Sequence, residues 1–225
     1  MDWLAIYLSL RLATTVCAIL LAIGLPLAAW LTFSRARWKF VVESIVSMPL
    51  VLPPTVLGFY LLVAMGSNGP LGKLFAELFG HSLAFTFEGL VIASVIYSLP
   101  FAVQPMAAAF SQVDRNLINA SAMLGASRTK TFFRIVLPLS LGGVVAAMVL
   151  SFAHTLGEFG VVLMVGGNIP GATETVSIAI YDRVQALDYA AANRMALILM
   201  AFSFVALSIT YTVGRRGLAM GPFAR

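Results

Sequence analysis

Residues 12–33 contain no charged side chain, and a stretch that long constrains the fold before anything else does. About 20 consecutive apolar residues make a helix long enough to cross the hydrocarbon core of a bilayer. Three further stretches repeat the pattern, at 44–65, 89–111 and 195–214, and a fourth run, 135–165, is interrupted by His154 and Glu158. Composition agrees: 60% of the residues are hydrophobic and only 10% are charged, against about 25% charged in an ordinary soluble domain. The expectation is an all-α, polytopic membrane bundle of about five spanning helices, forming one domain over 1–225. Residues 3–10 read as an interfacial lead into the first helix, and 75–85 and 175–187 as short helices in the connections, too short to span.

The basic residues set a direction. Ten of the 14 Lys and Arg, from Arg35, Arg37 and Lys39 through Arg115, Arg128, Lys130 and Arg134 to Arg215, Arg216 and Arg225, fall on one set of connections. Arg11, Lys73, Arg183 and Arg194 fall on the other. The positive-inside bias makes the first set cytoplasmic, with the amino terminus outside and the carboxyl terminus inside. The net charge of +5 is thus accounted for at the membrane's inner face, and nucleic acid is not an expected partner. The start, Met1-Asp2-Trp3, lacks the basic region of a cleavable signal, so the first helix reads as retained. Cys17 is the only cysteine, which excludes a disulfide within the chain.

Catalytic signatures are missing. The string Ser67-Asn-Gly-Pro-Leu-Gly72-Lys73-Leu74 lacks the first glycine and the hydroxyl residue of a phosphate-binding loop, and reads as an outer turn. Two histidines, His81 and His154, are too few for an evident metal site, so no cofactor or metal is expected in this chain. Active transport would draw on an ion gradient or on a separate ATPase that binds ATP and magnesium.

Proline punctuates the spans. Pro26 lies in the first, Pro49, Pro53 and Pro54 in the second, and Pro100 and Pro105 in the third. Each removes a backbone donor and crowds the preceding turn. Simple kinking is the plain reading of any single proline in a spanning helix. The run from Met48 to Pro54 holds three, and there a functional kink or gate is favoured, since broken helices around a cavity are common in transporters. In the fourth span Glu158 is flanked by Gly157 and Gly160. Glu158 and His154 are four apart and share a helix face. A buried acid in a span is a functional candidate; at the end of its helix Glu158 reads as structural, holding a gate.

The longest cytoplasmic segment is 112–134. Asp114 is placed to cap a helix over 115–124. Leu117, Ala120, Ser121 and Leu124 share one face, Gly125 supplies a stop in the left-handed conformation, and Ser127 caps a second helix that heads for the membrane and buries Phe132 and Phe133. The product is a helix–Gly–helix projection shaped to enter a groove on another protein, although a plain amphipathic turn has the same pattern.

That segment resembles the "EAA" loop of ATP-binding-cassette (ABC) importer permeases, E-A-A-x-x-x-G followed by an apolar stretch and L-P. Here the letters are Asn119-Ala120-Ser121-x-x-x-Gly125, then Ala126-Ser127, Phe132-Phe133 and Leu137-Pro138, with Asn119 in place of Glu and Ser121 in place of Ala. The stretch Met48–Leu62, the string Thr155-Leu-Gly157-Glu158-Phe159-Gly160 and the outer loop Gly167-Asn168-Ile169-Pro170-Gly171 resemble molybdate importer permeases, the last two being shared with sulfate and thiosulfate permeases. The resemblance implies a type I importer permease (MetI-like) fold and a subunit that moves molybdate by alternating access in a bacterial or archaeal cytoplasmic membrane. It implies as partners a second copy of the chain, two cytoplasmic ABC ATPase subunits and an external molybdate-binding protein. Sulfate, thiosulfate or tungstate is the nearest alternative cargo. An ion-coupled secondary transporter would need intramembrane acids or inverted repeats, and only Glu158 offers itself. A membrane scaffold would not need so many broken helices.

Overall fold

The structure, a computed structural model, describes residues 2–219, with side chains through Thr212. Arg225 lies outside the described residues, as do the side chains of Arg215 and Arg216. The described residues are helical, with no strand among them. In chain order the helices are α1 (Trp3–Phe33), α2 (Lys39–Val51), α3 (Pro54–Met65), α4 (Pro70–Phe79), α5 (Phe87–Ser111), α6 (Arg115–Met123) and α7 (Arg128–Thr131). A π-helical turn, Phe132–Val136, joins α7 to α8 (Leu137–Leu139), followed by α9 (Leu141–Gly157), α10 (Gly160–Gly166), α11 (Val176–Gln185) and α12 (Tyr189–Ala219).

Side-chain contacts fix the directions of the helices. At one end of α1 the Arg11 guanidinium lies 4.1 Å from the centre of the Phe87 ring, at the start of α5. At the other end Thr32 Oγ1 donates to the Ala107 carbonyl at 3.3 Å, near the end of α5. α1 and α5 therefore run parallel, so α2 and α3 together return the chain across the bundle. α9 runs antiparallel to α5: Gly143 packs on Ala109, and Thr155 meets Ser98 at 2.9 Å. α12 begins beside Ala5 and Val176, through Met195, and passes α9 with Phe202 against Phe152. Five passes result, and the start of α1 and the end of α12 lie on opposite sides.

Three of the passes, α1, α5 and α12, are single helices long and apolar enough to span. The other two are bent pairs. Lipid is as apolar as leucine, so the bundle is held by close packing more than by a hydrophobic gain. Its centre joins Leu12, Val16 and Leu20 of α1 to Val103, Met106 and Phe110 of α5 and Val144 and Ala147 of α9. Small residues bring the backbones together; a Cβ on Gly24 would sit 3.6 Å from Ala102 Cβ, and one on Gly143 only 2.3 Å from Ala109 Cβ.

The structure corrects the expected spans in four places. Residues 3–10 are the first turns of α1 itself, capped by Asp2, whose carboxylate accepts from the Ala5 amide at 3.1 Å. The second span is not one kinked helix: α2 and α3 meet at 113°. Pro53 holds Leu52 extended, Pro54 holds Pro53 extended, and Pro54 then starts α3 at its first position, where no amide is needed. The fourth span breaks twice, by 72° at Ser140 and again at Glu158–Phe159. The helix expected at 75–85 is α4, because Pro70 opens it and Gly80, with φ +77°, closes it. Pro26, Pro49, Pro100 and Pro105, by contrast, sit inside helices that continue past them.

Candidate functional site

The segment after α5 builds a self-contained loop. Asp114 Oδ1 accepts from the Asn116 amide at 2.8 Å and opens α6. At the other end the Ala126 amide donates to the Ser121 carbonyl at 3.1 Å and the Gly125 amide to the Ala122 carbonyl at 3.0 Å. This pair of bonds, with Gly125 at φ +75°, is a Schellman closure, and the left-handed centre is where a side chain costs most. Ser127 Oγ accepts from the Lys130 amide at 3.3 Å and opens α7. Ser121 and Thr131, both buried, join their hydroxyls at 2.8 Å and hold α6 against α7.

That bond changes the expected face. Ser121 turns inward, while Asn119, Ala120, Leu124, Gly125 and Ser127 stay exposed and Ala126 is half-buried. The apolar side chains that project furthest are Met123, 89% exposed, and Leu124, 88% exposed. Met123 was not legible as a projecting residue from helical spacing; an apolar residue in the last turn before a glycine stop is the signal that would have found it. Phe132 packs on Phe110, ring centres 5.4 Å apart, but Phe133 is exposed. Adjacent helical residues point about 100° apart, so the two rings cannot both turn inward. From α7 the chain continues without a loop through the π turn and α8 to the bend at Ser140, so the projection is mechanically joined to α9.

The second group of candidate residues lies deeper. The proline break and the glycine break meet: a Cβ on Gly160 would lie 2.7 Å from Pro54 Cβ, and one on Gly58 would lie 2.8 Å from Met164 Cβ. Gly157 ends α9, Glu158 is extended, and Gly160 begins α10. Glu158 is buried beside Ser94 and the Val162 amide, yet neither carboxylate oxygen nor the Ser94 hydroxyl closes a hydrogen bond. His154 does not pair with Glu158, because the helix ends between them and the four-residue spacing loses its meaning. Instead its Nδ1 bonds the Ser98 hydroxyl at 2.9 Å and its ring stacks on Phe101 at 3.9 Å.

An unpaired buried carboxylate offers no bond for an amide to lose. Glu158→Gln is expected to assemble normally, with a melting temperature in detergent equal to or above that of the wild type. A marked fall in melting temperature would show that the acid is paired in the assembled protein.

The loop over 167–175 is tied to itself. The Ile169 carbonyl accepts amides from Ala172, Thr173 and Glu174 at 3.0–3.1 Å, and Thr173 Oγ1 donates to the Gly166 carbonyl at 2.7 Å. Asn168 donates its side-chain amide to Asp182, Pro170 is exposed, and Gly171, at φ +77°, sits against Leu4 of α1. Burial, with Asp2 and Asp182 adding to it, raises Glu174 above the ordinary carboxylate value. This loop lies at the start of α1. The 112–134 loop lies at the end of α1, sharing a cavity of about 750 Å³ with Trp30, Phe33 and Arg35. The structure thus brings Pro53, Pro54, Gly160 and Glu158 into one region and separates the two loops to opposite ends. Among the described residues no group of three or more His, Cys, Asp or Glu is placed to hold a metal.

The described residues thus form a multi-pass helical bundle with two broken spans and a capped helical projection at one end. The family model described as the binding-protein-dependent transport system inner membrane component matches residues 20–217, and the chain belongs to that family. It is 49% identical to the molybdenum transport system permease protein ModB of Azotobacter vinelandii, over 95% of each chain. It is 36% identical to the protein of the same name in Escherichia coli strain K12, over 95% of this chain and 94% of that one. The sulfate transport system permease protein CysT of Salmonella typhimurium is 32% identical over 86% of this chain and 69% of that one. Among solved structures, a bacterial alginate ABC transporter superposes with TM-score 0.74 at 17% identity, covering 93% of this chain and 76% of that one. The MetNI methionine ABC transporter superposes with TM-score 0.71 at 19% identity, covering 98% of both. The fold is that of the type I importer permeases.

Proposed function

We propose that this chain is the membrane-spanning subunit of an ATP-driven importer of molybdate. The observation that carries the reading is the closed, capped projection at 112–134, with Met123 and Leu124 bare at its tip and its far end continuous with α9. An isolated protein gains nothing from two exposed apolar side chains on a rigid loop; a groove on a partner does. The 49% and 36% identities to molybdenum permeases support the cargo, and the 32% identity to a sulfate permease makes sulfate the second reading. The working assembly in this reading is two copies of the chain, two cytoplasmic ABC ATPases that bind ATP and magnesium and hydrolyse the nucleotide, and an external molybdate-binding protein. The chain itself is not catalytic. ATP draws the two ATPases together, the docked loops follow, and α9 swings about Ser140, biasing the bundle towards outward opening.

The decisive experiment isolates the complex and measures ATPase activity with the external binding protein loaded with molybdate or with sulfate. Stimulation by the molybdate-loaded form alone is expected. Equal or greater stimulation by the sulfate-loaded form would move the cargo to sulfate.

This reading places the 112–134 loop in the cytoplasm of a bacterial or archaeal cell, with the amino terminus outside and the carboxyl terminus inside. In a chain carrying Cys17→Ser, cysteines introduced at Ser67 and Asn168 should react with an impermeant thiol reagent on intact spheroplasts. One at Ser127 should react only after the membrane is opened. Labelling of the Ser127→Cys chain in intact spheroplasts would reverse the orientation.

A further inference from the structure

Along α5, Tyr97, Phe101, Gln104, Ala108 and Ser111 recur at spacings of four and three and so share one face. The opposite face is closed: Ala102, Val103, Met106 and Phe110 are fully buried in the bundle. On the first face Gln104, Ala108 and Ser111 are exposed. Gln104 lies two turns inside the end of α5, about 10 Å from it at the helical rise. Its amide nitrogen donates to Ser47 Oγ of α2 at 2.9 Å, which leaves an N–H and a carbonyl oxygen to satisfy. Hydrocarbon cannot satisfy them, and an unmet amide costs several kcal/mol there by general estimates. This face therefore meets water or protein. A cavity of about 430 Å³ opens on it; Thr32, Ser47, Gln104 and Ser111 are its neutral polar lining, set among apolar residues such as Leu31 and Val46.

The charges around the cavity are matched. Glu43 also lines it, and its carboxylate is held by Lys39 at 3.2 Å, so no bare acid faces the space. Further along the same face of α5 stand Tyr97 and Phe101, with the His154 ring of α9 against both. From Tyr97 to Ser111 the seam rises about 21 Å, most of the hydrocarbon thickness.

We infer that the Gln104 face of α5, with Ser47 of α2, lines the aqueous passage and offers neutral hydrogen-bond donors to a tetrahedral oxyanion. The inference rests on the transport reading and adds its route. Neutral amides and hydroxyls replace part of the anion's hydration without holding it tightly, which conduction requires.

The test uses the whole complex in vesicles, built on the Cys17→Ser chain. Gln104→Cys and Ala108→Cys are treated with a small, negatively charged, impermeant methanethiosulfonate, with and without ATP and vanadate. Ile23→Cys, on the apolar outer face of α1, is the comparison. Both α5 cysteines should react in at least one state, at least about tenfold faster than Ile23→Cys, and the attached sulfonate should block molybdate uptake. In a separate chain, Gln104→Leu should lower uptake by about tenfold or more, the loss of one hydrogen bond to a charged group, while Gln104→Asn recovers part of it. If both α5 cysteines are as inert as Ile23→Cys in both states while the untreated complex still imports molybdate, the passage lies elsewhere. If they react but the untreated complex imports no molybdate, the route stands and the cargo assignment fails.

Discussion

Gly125→Val inserts into the membrane at the wild-type level, but the ATPase no longer co-purifies with it and ATP-driven uptake falls to background. This is the expected result, and the structure says where the effect comes from. The φ of +75° at Gly125 costs a non-glycine residue about 1–2 kcal/mol, more for a β-branched one. Among the described residues nothing beyond its two chain neighbours lies within 4 Å of a Cβ built there, so the intrachain cost is backbone strain. Relieving the strain opens the Ala126–Ser121 and Gly125–Ala122 bonds and swings Met123 and Leu124 out of position. Gly125→Ala carries the same backbone strain with less bulk at the contact, so it is expected to weaken association without abolishing it. Gly125→Asn tolerates the left-handed region better and should be the mildest of the three. Retention of both ATPase and uptake by the valine variant would remove the loop from the coupling path.

Replacing Pro53 and Pro54 together with alanine is expected to leave insertion intact and to remove most uptake. The two prolines impose the extended pair Leu52–Pro53 that sets the 113° angle between α2 and α3. Alanine restores the missing amides and allows one continuous helix over this stretch, which carries α3 away from α10. The loss is transmitted through the contact of residue 54 with Gly160, where the Pro54 ring packs directly on the glycine backbone. Gly160→Leu attacks the same joint from the other side and should produce the same phenotype: normal membrane levels, a co-purifying ATPase and little uptake. Wild-type uptake by the double proline variant would reduce the break to a packing detail.

These two sites differ in how far the sequence discloses them. The loop was readable in detail, because each of its determinants is local. Asp114, Gly125 and Ser127 act on amides within a few residues, and all three took the expected cap and turn positions. Number and order of the passes were readable for a similar reason, since length and apolarity decide them. Apart from Phe133, which its neighbour Phe132 leaves exposed, what failed depended on contacts beyond a single helix. Ser121 turned inward because Thr131 sits across from it, which spacing along one helix does not reveal. His154 found Ser98 of another helix instead of Glu158, because Gly157 ended α9 first. The proline run announced a distortion, but not that it was a turn of more than a right angle, nor that α3 would then pack on Gly160 at the second break. Gln104 and Ser47 drew no notice at all: each is an ordinary polar residue in its own segment, and they matter only once α2 is laid beside α5.

The central claim is that ATP, acting through the 112–134 loop, drives molybdate inward through this chain. The most direct measurement is uptake of labelled molybdate into vesicles that contain the complex and its binding protein, with ATP supplied on the ATPase side and all ion gradients collapsed by ionophores. Accumulation that requires ATP and the molybdate-loaded binding protein, persists without any gradient and disappears in Gly125→Val is the predicted result. Accumulation that follows an imposed ion gradient in the absence of ATP, and is untouched by Gly125→Val, would contradict it.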